Sequence, residues 1–134
     1  MSTEDSRAVV EGIYSAVNGG GTRAFMDALH PELRVSSAPY LPHGGPDQTF
    51  DEWQQMLASL TVLDINGLVV EQVVADGPYV SATARVGLKD SEETVLFCEN
   101  WEIRDGKAYR MRVYCYDPAP LLAALQAAES APVA

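Results

Sequence analysis

Three segments within the first sixty residues carry apolar side chains at intervals of three and four, the spacing of one face of a helix. The glycines at 19–21 and Pro31 interrupt this pattern, as residues that end helices do. Thr49 and Glu52 form a capping box at the start of the last of the three segments. The pattern therefore predicts three N-terminal helices, with a brief strand at 32–37 before the third.

Beyond about residue 62, apolar and polar positions alternate, as they do in half-buried strands. This alternation predicts four strands, at residues 68–75, 79–88, 93–103 and 107–116. Asp117 and Pro118 then favour the start of a short C-terminal helix. We expect an α+β domain in which three helices pack on a curved antiparallel sheet. This single domain spans residues 1–128, and a flexible tail follows at 129–134.

Asp105-Gly106 is a typical two-residue hairpin turn, and it sets the register of the two strands that it joins. Three pairs are then directly opposed on one face of the sheet, namely Trp101 with Arg110, Glu99 with Arg112, and Phe97 with Tyr114. We expect an ion pair between Glu99 and Arg112, and a cation–π contact between Arg110 and Trp101. This face therefore mixes aromatic rings with one acid and two guanidinium groups.

A sheet face of this composition suits three environments. The wall of a ligand cavity combines apolar rings with a few fixed polar groups, and a dimer interface is enriched in aromatic residues and arginine. A solvated face carries cross-strand pairs that contribute little to stability. We favour the cavity wall, then the interface. The solvated face ranks third, because Phe97, Trp101 and Tyr114 are poorly suited to contact with water.

Nineteen acidic and nine basic residues give the 134-residue chain a net charge of −10. This charge repels nucleic acid and anionic lipid, so we expect neither nucleic acid nor a membrane as a partner. The N-terminus lacks the apolar segment of a signal peptide, which favours a cytoplasmic protein. The histidines and cysteines do not show metal-ligand spacing, so we expect no metal site.

Three stretches resemble SnoaL-like proteins of the NTF2-like (ketosteroid isomerase-like) superfamily, namely YSAVNGG, LPHGG and WEIRDGKAYRMRVYCYD. The resemblance implies a cone, in which a bent sheet wraps round helices and leaves an apolar pocket open at one end. Relatives include isomerases, polyketide cyclases, epoxide hydrolases, dehydratases and non-catalytic binding proteins. The resemblance also implies acid–base chemistry without a metal, a small lipophilic molecule as ligand, and a homodimer.

The same resemblance implies roles for individual residues. Glu99 matches a pocket-facing position that is often polar, Asp117 matches the base of some cyclases, and Tyr14 matches a hydrogen-bonding tyrosine of the isomerases. The aspartate that acts as base in the isomerases has no counterpart in RVSSAPY. A ketosteroid isomerase mechanism is therefore not expected.

Each candidate also has a structural interpretation. Glu99 is either an acid–base group or half of an ion pair with Arg112. Asp117 is first a helix N-cap and only second a base. His43 lies in a proline-glycine loop, where it either transfers protons or is simply solvated.

The residues predicted to take part in catalysis are Glu99, Asp117, His43, Arg112 and Tyr14. Those predicted to contact substrate are Tyr40, Trp53, Met56, Phe97, Trp101, Arg110, Tyr114 and Tyr116. Tyr14, Trp53 and Met56 lie at helical spacing, so they belong to an ordinary core unless the cone is hollow.

We expect a cofactor-independent enzyme that moves a proton in a small lipophilic oxygenated metabolite, through cyclisation, isomerisation, dehydration or epoxide opening. Arg112 and Tyr14 would stabilise the developing negative charge. Two alternatives remain open, a non-catalytic protein that binds a small hydrophobic ligand and a dimeric interaction module.

Overall fold

Residues 2–130, which the computed structural model describes, form four helices and five strands. The elements are α1 (Thr3–Gly19), α2 (Thr22–Asp27), β1 (Leu29–Ser36), α3 (Phe50–Ser59), β2 (Leu63–Asp76), β3 (Tyr79–Leu88), β4 (Thr94–Arg104), β5 (Lys107–Cys115) and α4 (Ala119–Ser130). The predicted α+β fold, with three N-terminal helices and a short C-terminal helix, is confirmed.

Side chains at the helix ends satisfy backbone groups that would otherwise lack partners. Ser2 accepts a hydrogen bond from the backbone N–H of Asp5 at 3.0 Å, and Gly20 ends α1 with a φ of 70°. Thr49 and Glu52 form the predicted capping box at the start of α3. These boundaries were predictable because each depends on residues close together in the sequence.

The C-terminal helix α4 follows Asp117, whose Oδ1 accepts a hydrogen bond from the backbone N–H of Ala119 at 3.1 Å. This contact agrees with the capping interpretation of Asp117. The helix ends at Ser130, beyond the predicted domain end at residue 128. The rest of the predicted tail, 131–134, lies outside the described residues.

The strands form one sheet in the order β1-β5-β4-β3-β2. Strands β2 to β5 are antiparallel neighbours, as their short connections predict. Strand β1 pairs with β5 in parallel, so the sheet is mixed and the prediction of a wholly antiparallel sheet is wrong for this strand. Because α3 and three strands separate β1 from β5 along the chain, no hairpin turn indicated the direction of β1.

The pairing of β4 with β5 departs from the predicted register close to the turn. The pairs nearest the turn are those predicted, up to Ile103 with Ala108, but the next pair is Glu102 with Arg110. Tyr109 is therefore the extra residue of a β-bulge. Because side chains alternate along a strand, every later residue of β5 faces the side opposite to the predicted one.

As a result, Glu99 pairs with Val113 and Trp101 pairs with Met111. Three predicted pairs are therefore wrong, namely Glu99–Arg112, Trp101–Arg110 and Phe97–Tyr114. The basic and phenolic members of these pairs belong to the outer face of the sheet, away from the helices.

Neighbouring side chains hold Tyr109 in the bulge. The guanidinium groups of Arg104 and Arg110 lie 3.9 and 3.8 Å from the centre of its ring. His30 of β1 meets the ring edge-on, with 5.0 Å between ring centres. Cation–π contacts of this kind contribute roughly 0.5–1 kcal/mol each at exposed sites. The alternation within β5 could not predict this cluster, because the cluster includes residues from two other strands.

Residues from the helices and from the inner face of the sheet form one hydrophobic cluster. Val10 and Ile13 of α1 and Trp53 and Met56 of α3 are among its buried members. Burial of a large apolar side chain stabilises a fold by roughly 1.5–3 kcal/mol. The cluster surrounds an interior space and does not fill it, and this space is the cavity described below.

A buried polar pair fixes the proline-glycine loop between β1 and α3. Ser37 Oγ donates to Gln48 Oε1 at 2.5 Å, and Gln48 Nε2 donates to the carbonyl oxygen of His43 at 2.6 Å. The hydroxyl of Ser59, which donates to the carbonyl oxygen of Met56 at 2.6 Å, also lies 3.2 Å from the carbonyl oxygen of Pro42. Since Ser37 and Gln48 are both buried, removal of either partner would leave an unsatisfied polar group.

Gly44→Ala is expected to destabilise the protein by roughly 1–3 kcal/mol, because a Cβ there would overlap the carbonyl oxygen of Ala38. Gly45→Ala is the matched control, since a Cβ at Gly45 meets no atom within 4 Å. Urea denaturation of both variants measures the difference in the free energy of unfolding. Equal unfolding midpoints would contradict this close approach within the loop.

Candidate active site

A cavity of about 170 Å³ opens between the inner face of the sheet and helices α1 and α3, and its walls are mostly apolar. Seven predicted site residues line it, namely Tyr14, Tyr40, Trp53, Met56, Phe97, Glu99 and Trp101. The cone is therefore hollow. The helical residues Tyr14, Trp53 and Met56 belong both to the core and to the wall of this cavity.

Six predicted site residues are not part of the cavity wall, namely His43, Arg110, Arg112, Tyr114, Tyr116 and Asp117. Arg112 is exposed on the outer face of the sheet, where its Nη1 donates to Tyr114 Oη at 3.4 Å. Arg110 lies over the ring of Tyr109 and donates to the carbonyl oxygen of Glu32 at 2.9 Å. The bulge at Tyr109 accounts for the position of all three outer residues of β5.

The other three residues outside the cavity lie in loops. His43 is exposed and has a φ of 59°. Tyr116 follows the end of β5 and is 84% exposed. Asp117 is exposed at the start of α4. Their positions give these three side chains no contact with a molecule inside the cavity.

A chain of hydrogen bonds orients Glu99 inside the cavity. Trp101 Nε1 donates to Tyr14 Oη at 3.0 Å, and Tyr14 Oη donates to Glu99 Oε1 at 2.7 Å. An indole N–H can only donate, so the single hydroxyl hydrogen of Tyr14 points to Glu99. The rings of Tyr14 and Trp101 also pack edge to face, with 6.1 Å between their centres.

The second carboxyl oxygen of Glu99 is free for a ligand. Glu99 lines the cavity, and only its Oε1 has a hydrogen-bond partner among residues 2–130. No arginine, lysine or histidine within this range lines the same cavity. Glu99 is therefore a carboxyl group in apolar surroundings, held by one neutral donor and without a compensating cation.

These surroundings change the pKa values of both Glu99 and Tyr14. Burial raises the pKa of Glu99 from 4.5 to about 7, although the hydrogen bond from Tyr14 acts in the opposite direction. Burial, followed by repulsion from Glu99, raises the pKa of Tyr14, so its hydroxyl stays protonated. A carboxyl group with a pKa near neutrality can both accept and donate a proton at physiological pH.

Tyr14→Phe is expected to raise the pKa of Glu99 further, because the hydroxyl of Tyr14 stabilises the carboxylate. A hydrogen bond to a charged group contributes roughly 1.5–3 kcal/mol, which corresponds to an increase of about one pH unit or more in the titration midpoint. NMR titration of ¹³C-labelled glutamate measures that midpoint. Tyr79→Phe, on the exposed end of β3, is the control. An unchanged or lower midpoint in Tyr14→Phe would contradict this hydrogen bond.

Sequence reasoning missed three residues of β5 that line the cavity, Met111, Val113 and Cys115. The Cys115 thiol lies close to the hydroxyl of Tyr40, and the two groups affect each other's pKa. Burial raises the pKa of the Cys115 thiol, which favours its neutral form. This neutral pair forms a second polar feature of the cavity.

The sequence did contain a signal for the correct inner face of β5. The set Met111, Val113 and Cys115 is wholly apolar, whereas the alternate positions include Arg110 and Arg112. A strand with one buried face places its apolar set inward. This comparison favours the observed register over the one that the turn alone predicts.

Residues 2–130 contain no group of three or more His, Cys, Asp or Glu side chains that could hold a metal ion. None of the helices in this part of the chain is long and apolar enough to cross a bilayer. The absence of a cofactor stays a prediction.

Solved structures with the same fold cover nearly the whole chain. An NTF2-like protein from Burkholderia pseudomallei K96243 is 19% identical with a TM-score of 0.72, over 93% of this chain and 98% of that one. TerC, crystallised with polyporic acid, is 21% identical with a TM-score of 0.72, over 91% of this chain and 98% of the TerC chain. IdmH from Streptomyces antibioticus, a suggested polyketide cyclase, is 15% identical with a TM-score of 0.69, over 90% of this chain and 98% of the IdmH chain. At these identities the likeness shows the fold alone.

No curated protein matches the sequence. The SnoaL-like domain matches residues 10–111, which is most of the chain. This range begins in α1, ends in β5, and includes Tyr14, Glu99 and Trp101. Domain match and fold agree with the resemblance of the sequence motifs. The chain therefore belongs to the SnoaL-like family, and its fold is that of NTF2-like proteins.

Proposed function

We propose that this protein is a cofactor-independent acid–base enzyme that acts on a small lipophilic oxygenated molecule in the cavity. The observation that carries the proposal is Glu99, a carboxyl group in an apolar cavity with a pKa raised to about 7. A carboxyl group is costly to bury without a cation, and perturbed pKa values of this kind concentrate at functional sites.

The hydrogen-bond geometry assigns a part to each oxygen of Glu99. Oε1 accepts from Tyr14, so Oε2 is the atom that exchanges a proton with the bound molecule. In its ionised form Glu99 removes a proton from a carbon or hydroxyl of the substrate, and in its protonated form it returns that proton to another substrate atom. Tyr14, itself held by Trp101, keeps the carboxyl group oriented through both steps.

This chemistry fits cyclisation, isomerisation or dehydration, in which a proton leaves one substrate atom and returns to another. The walls of the cavity, which include Trp53, Phe97 and Trp101, would exclude water and hold an apolar ring. Asp117, His43 and Arg112, which the sequence also suggested, have no part in this proposal because they lie outside the cavity wall.

The second candidate function is a binding protein without turnover. The observation that favours it is the lack of any basic side chain in the cavity wall of residues 2–130. An enolate or alkoxide formed there would have only neutral donors to stabilise its charge. TerC, which shares the fold, was crystallised with polyporic acid, so a fold of this kind can be studied with a bound small molecule.

Identification of the natural ligand separates the two candidates. Native mass spectrometry of freshly purified protein detects a bound molecule, and chromatography of an incubated sample follows its conversion. The enzyme proposal expects a second compound of related structure that accumulates with many turnovers per protein molecule. Recovery of the molecule unchanged, from correctly folded protein, would favour the binding protein.

We also propose that the outer face of the sheet joins two copies of the chain in a homodimer. Val69 and Val74 of β2, Tyr79 of β3 and Tyr114 of β5 are all more than half exposed on this side of the molecule. Exposed apolar groups of this size commonly mark an interaction surface. Analytical ultracentrifugation tests the proposal, and a monomer that persists at high protein concentration would contradict it.

A further inference from the structure

The cavity has a second polar group besides Glu99. Tyr40, on the proline-glycine loop, lines the cavity although 47% of its surface stays exposed, which places it at the mouth. Its hydroxyl lies close enough to the thiol of Cys115 for each group to raise or lower the pKa of the other. Sulfur is a weak acceptor, so an oxygen atom of a bound molecule would be a better partner for this hydroxyl.

The sheet register fixes the distance between Glu99 and Cys115, the residue beside Tyr40. Cys115 pairs with Phe97, which lies two residues before Glu99 on the same face of β4. Diagonal neighbours of this kind on one sheet face are about 7–8 Å apart. A molecule that reaches both Glu99 and Tyr40 therefore carries polar atoms at its two ends, with an apolar middle between them.

The charges of the wall restrict the occupant further. An anionic ligand would face Glu99 with no basic side chain of residues 2–130 beside it, and like charges in an apolar site repel strongly. An ammonium group has three N–H donors to satisfy, and Glu99 Oε2 is the one free charged acceptor of this described wall. Both charged forms would thus bury an unsatisfied group.

The volume limits the size of the occupant. An engineered apolar cavity of about 150 Å³ holds one benzene molecule, and the cavity here is about 170 Å³. Trp53, Phe97 and Trp101 in its wall favour contact with a flat ring. One six-membered ring with small substituents therefore fits inside, and a longer substituent would extend through the mouth.

We infer that the occupant is an uncharged single-ring compound with oxygen atoms at opposite ends, one donating to Glu99 and the other accepting from Tyr40. The inference rests on the proposed function, since it names the class of molecule on which Glu99 acts. Tyr40 then has a positioning role at the mouth of the cavity. Its hydrogen bond orients the ring so that the other oxygen meets Glu99.

Five para-substituted rings test the inference by isothermal titration calorimetry at about pH 8. 4-Methoxyphenol has both the donor and the acceptor, p-cresol lacks the acceptor, and 4-methylanisole lacks the donor. 4-Methoxybenzoate and 4-methoxybenzylammonium carry a negative and a positive charge. We expect 4-methoxyphenol to bind roughly tenfold more tightly than either neutral analogue, and the two charged rings to bind more weakly still.

Tyr40→Phe is the diagnostic variant, and Tyr79→Phe, on the exposed end of β3, is its matched control. Tyr40→Phe is expected to bind 4-methoxyphenol and p-cresol with equal affinity, while Tyr79→Phe keeps the tenfold difference. The inference is overturned if a charged ring binds most tightly, if Tyr40→Phe keeps the difference, or if none of the rings binds.

The result is separable from the test of the proposed function. Preference for a charged ring, with the pKa of Glu99 still near neutrality by NMR, would overturn the inference and leave the acid–base proposal standing. Preference for 4-methoxyphenol that depends on Tyr40, in a protein that converts no ligand, would refute the enzyme and leave the description of the occupant intact.

Discussion

Glu99→Gln is expected to lower the turnover of the natural substrate by roughly a hundredfold to ten-thousandfold, the range for loss of a general acid–base group. The amide keeps an acceptor for Tyr14 and nearly the same shape, but it cannot take up or release the substrate proton. Substrate affinity should change much less than turnover, because the apolar walls of the cavity remain. Steady-state kinetics on the identified ligand give both quantities.

Asp117→Asn provides the comparison for this experiment. Asp117 is an exposed carboxylate outside the cavity wall that caps α4 through Ala119, and asparagine is also a good N-cap. Turnover by Asp117→Asn is therefore expected to match the unmodified protein. A large loss in Asp117→Asn combined with full activity in Glu99→Gln would show that the wrong carboxylate has been assigned.

The second large effect of Glu99→Gln concerns stability. Glu99 binds its proton more tightly in the folded protein, with a pKa of about 7, than in the unfolded chain, where the usual value is 4.5. The folded state therefore holds more protons than the unfolded state between these two values, and stability falls as the pH rises through this window. The free energy of unfolding has fallen by about 3 kcal/mol once the pH is above both pKa values.

Glutamine does not titrate, so Glu99→Gln should escape this loss. We expect the free energy of unfolding of the variant to exceed that of the unmodified protein by up to about 3 kcal/mol at pH 8, and the excess to shrink toward pH 5. Urea denaturation at several pH values measures this difference, in which the contributions of other titrating groups cancel. Glu102→Gln, on the outer face of the same strand, is the control.

An excess that is the same at pH 5 and pH 8 would show that the carboxyl group is not held in an apolar environment. Glu99→Gln is therefore expected to lower turnover and, at the same time, to raise the free energy of unfolding. Sites that natural proteins keep at a cost in stability are commonly those on which function depends.

The elements that depend on neighbouring residues were predictable from the sequence. The Thr49–Glu52 capping box, the helical stripes and the alternating strands each follow from a short stretch of chain, and each is present in the structure. The direction of β1 and the bulge at Tyr109 were not predictable in this way. Both depend on contacts between residues far apart in sequence, such as that of His30 with Tyr109.

The sequence identified Glu99 as a cavity residue but gave it the wrong partner. A turn at residues 105–106 predicts Arg112 opposite Glu99, and one extra residue in β5 moves that arginine to the outer face. The actual partner, Tyr14, is 85 positions away. Helical spacing predicted that Tyr14 is buried, but it contains no information about which strand residue its hydroxyl meets.

The chain contains two tryptophans, Trp53 and Trp101, and both lie in the wall of the cavity. The tryptophan fluorescence of the protein therefore arises entirely from the wall of this cavity. The indole N–H of Trp101 donates to the hydroxyl of Tyr14, which in turn donates to Glu99. Trp53 lies in α3, on a different part of the cavity wall. The molecule thus carries a built-in optical probe that needs no label, through which both filling of the interior and protonation of its acid become visible.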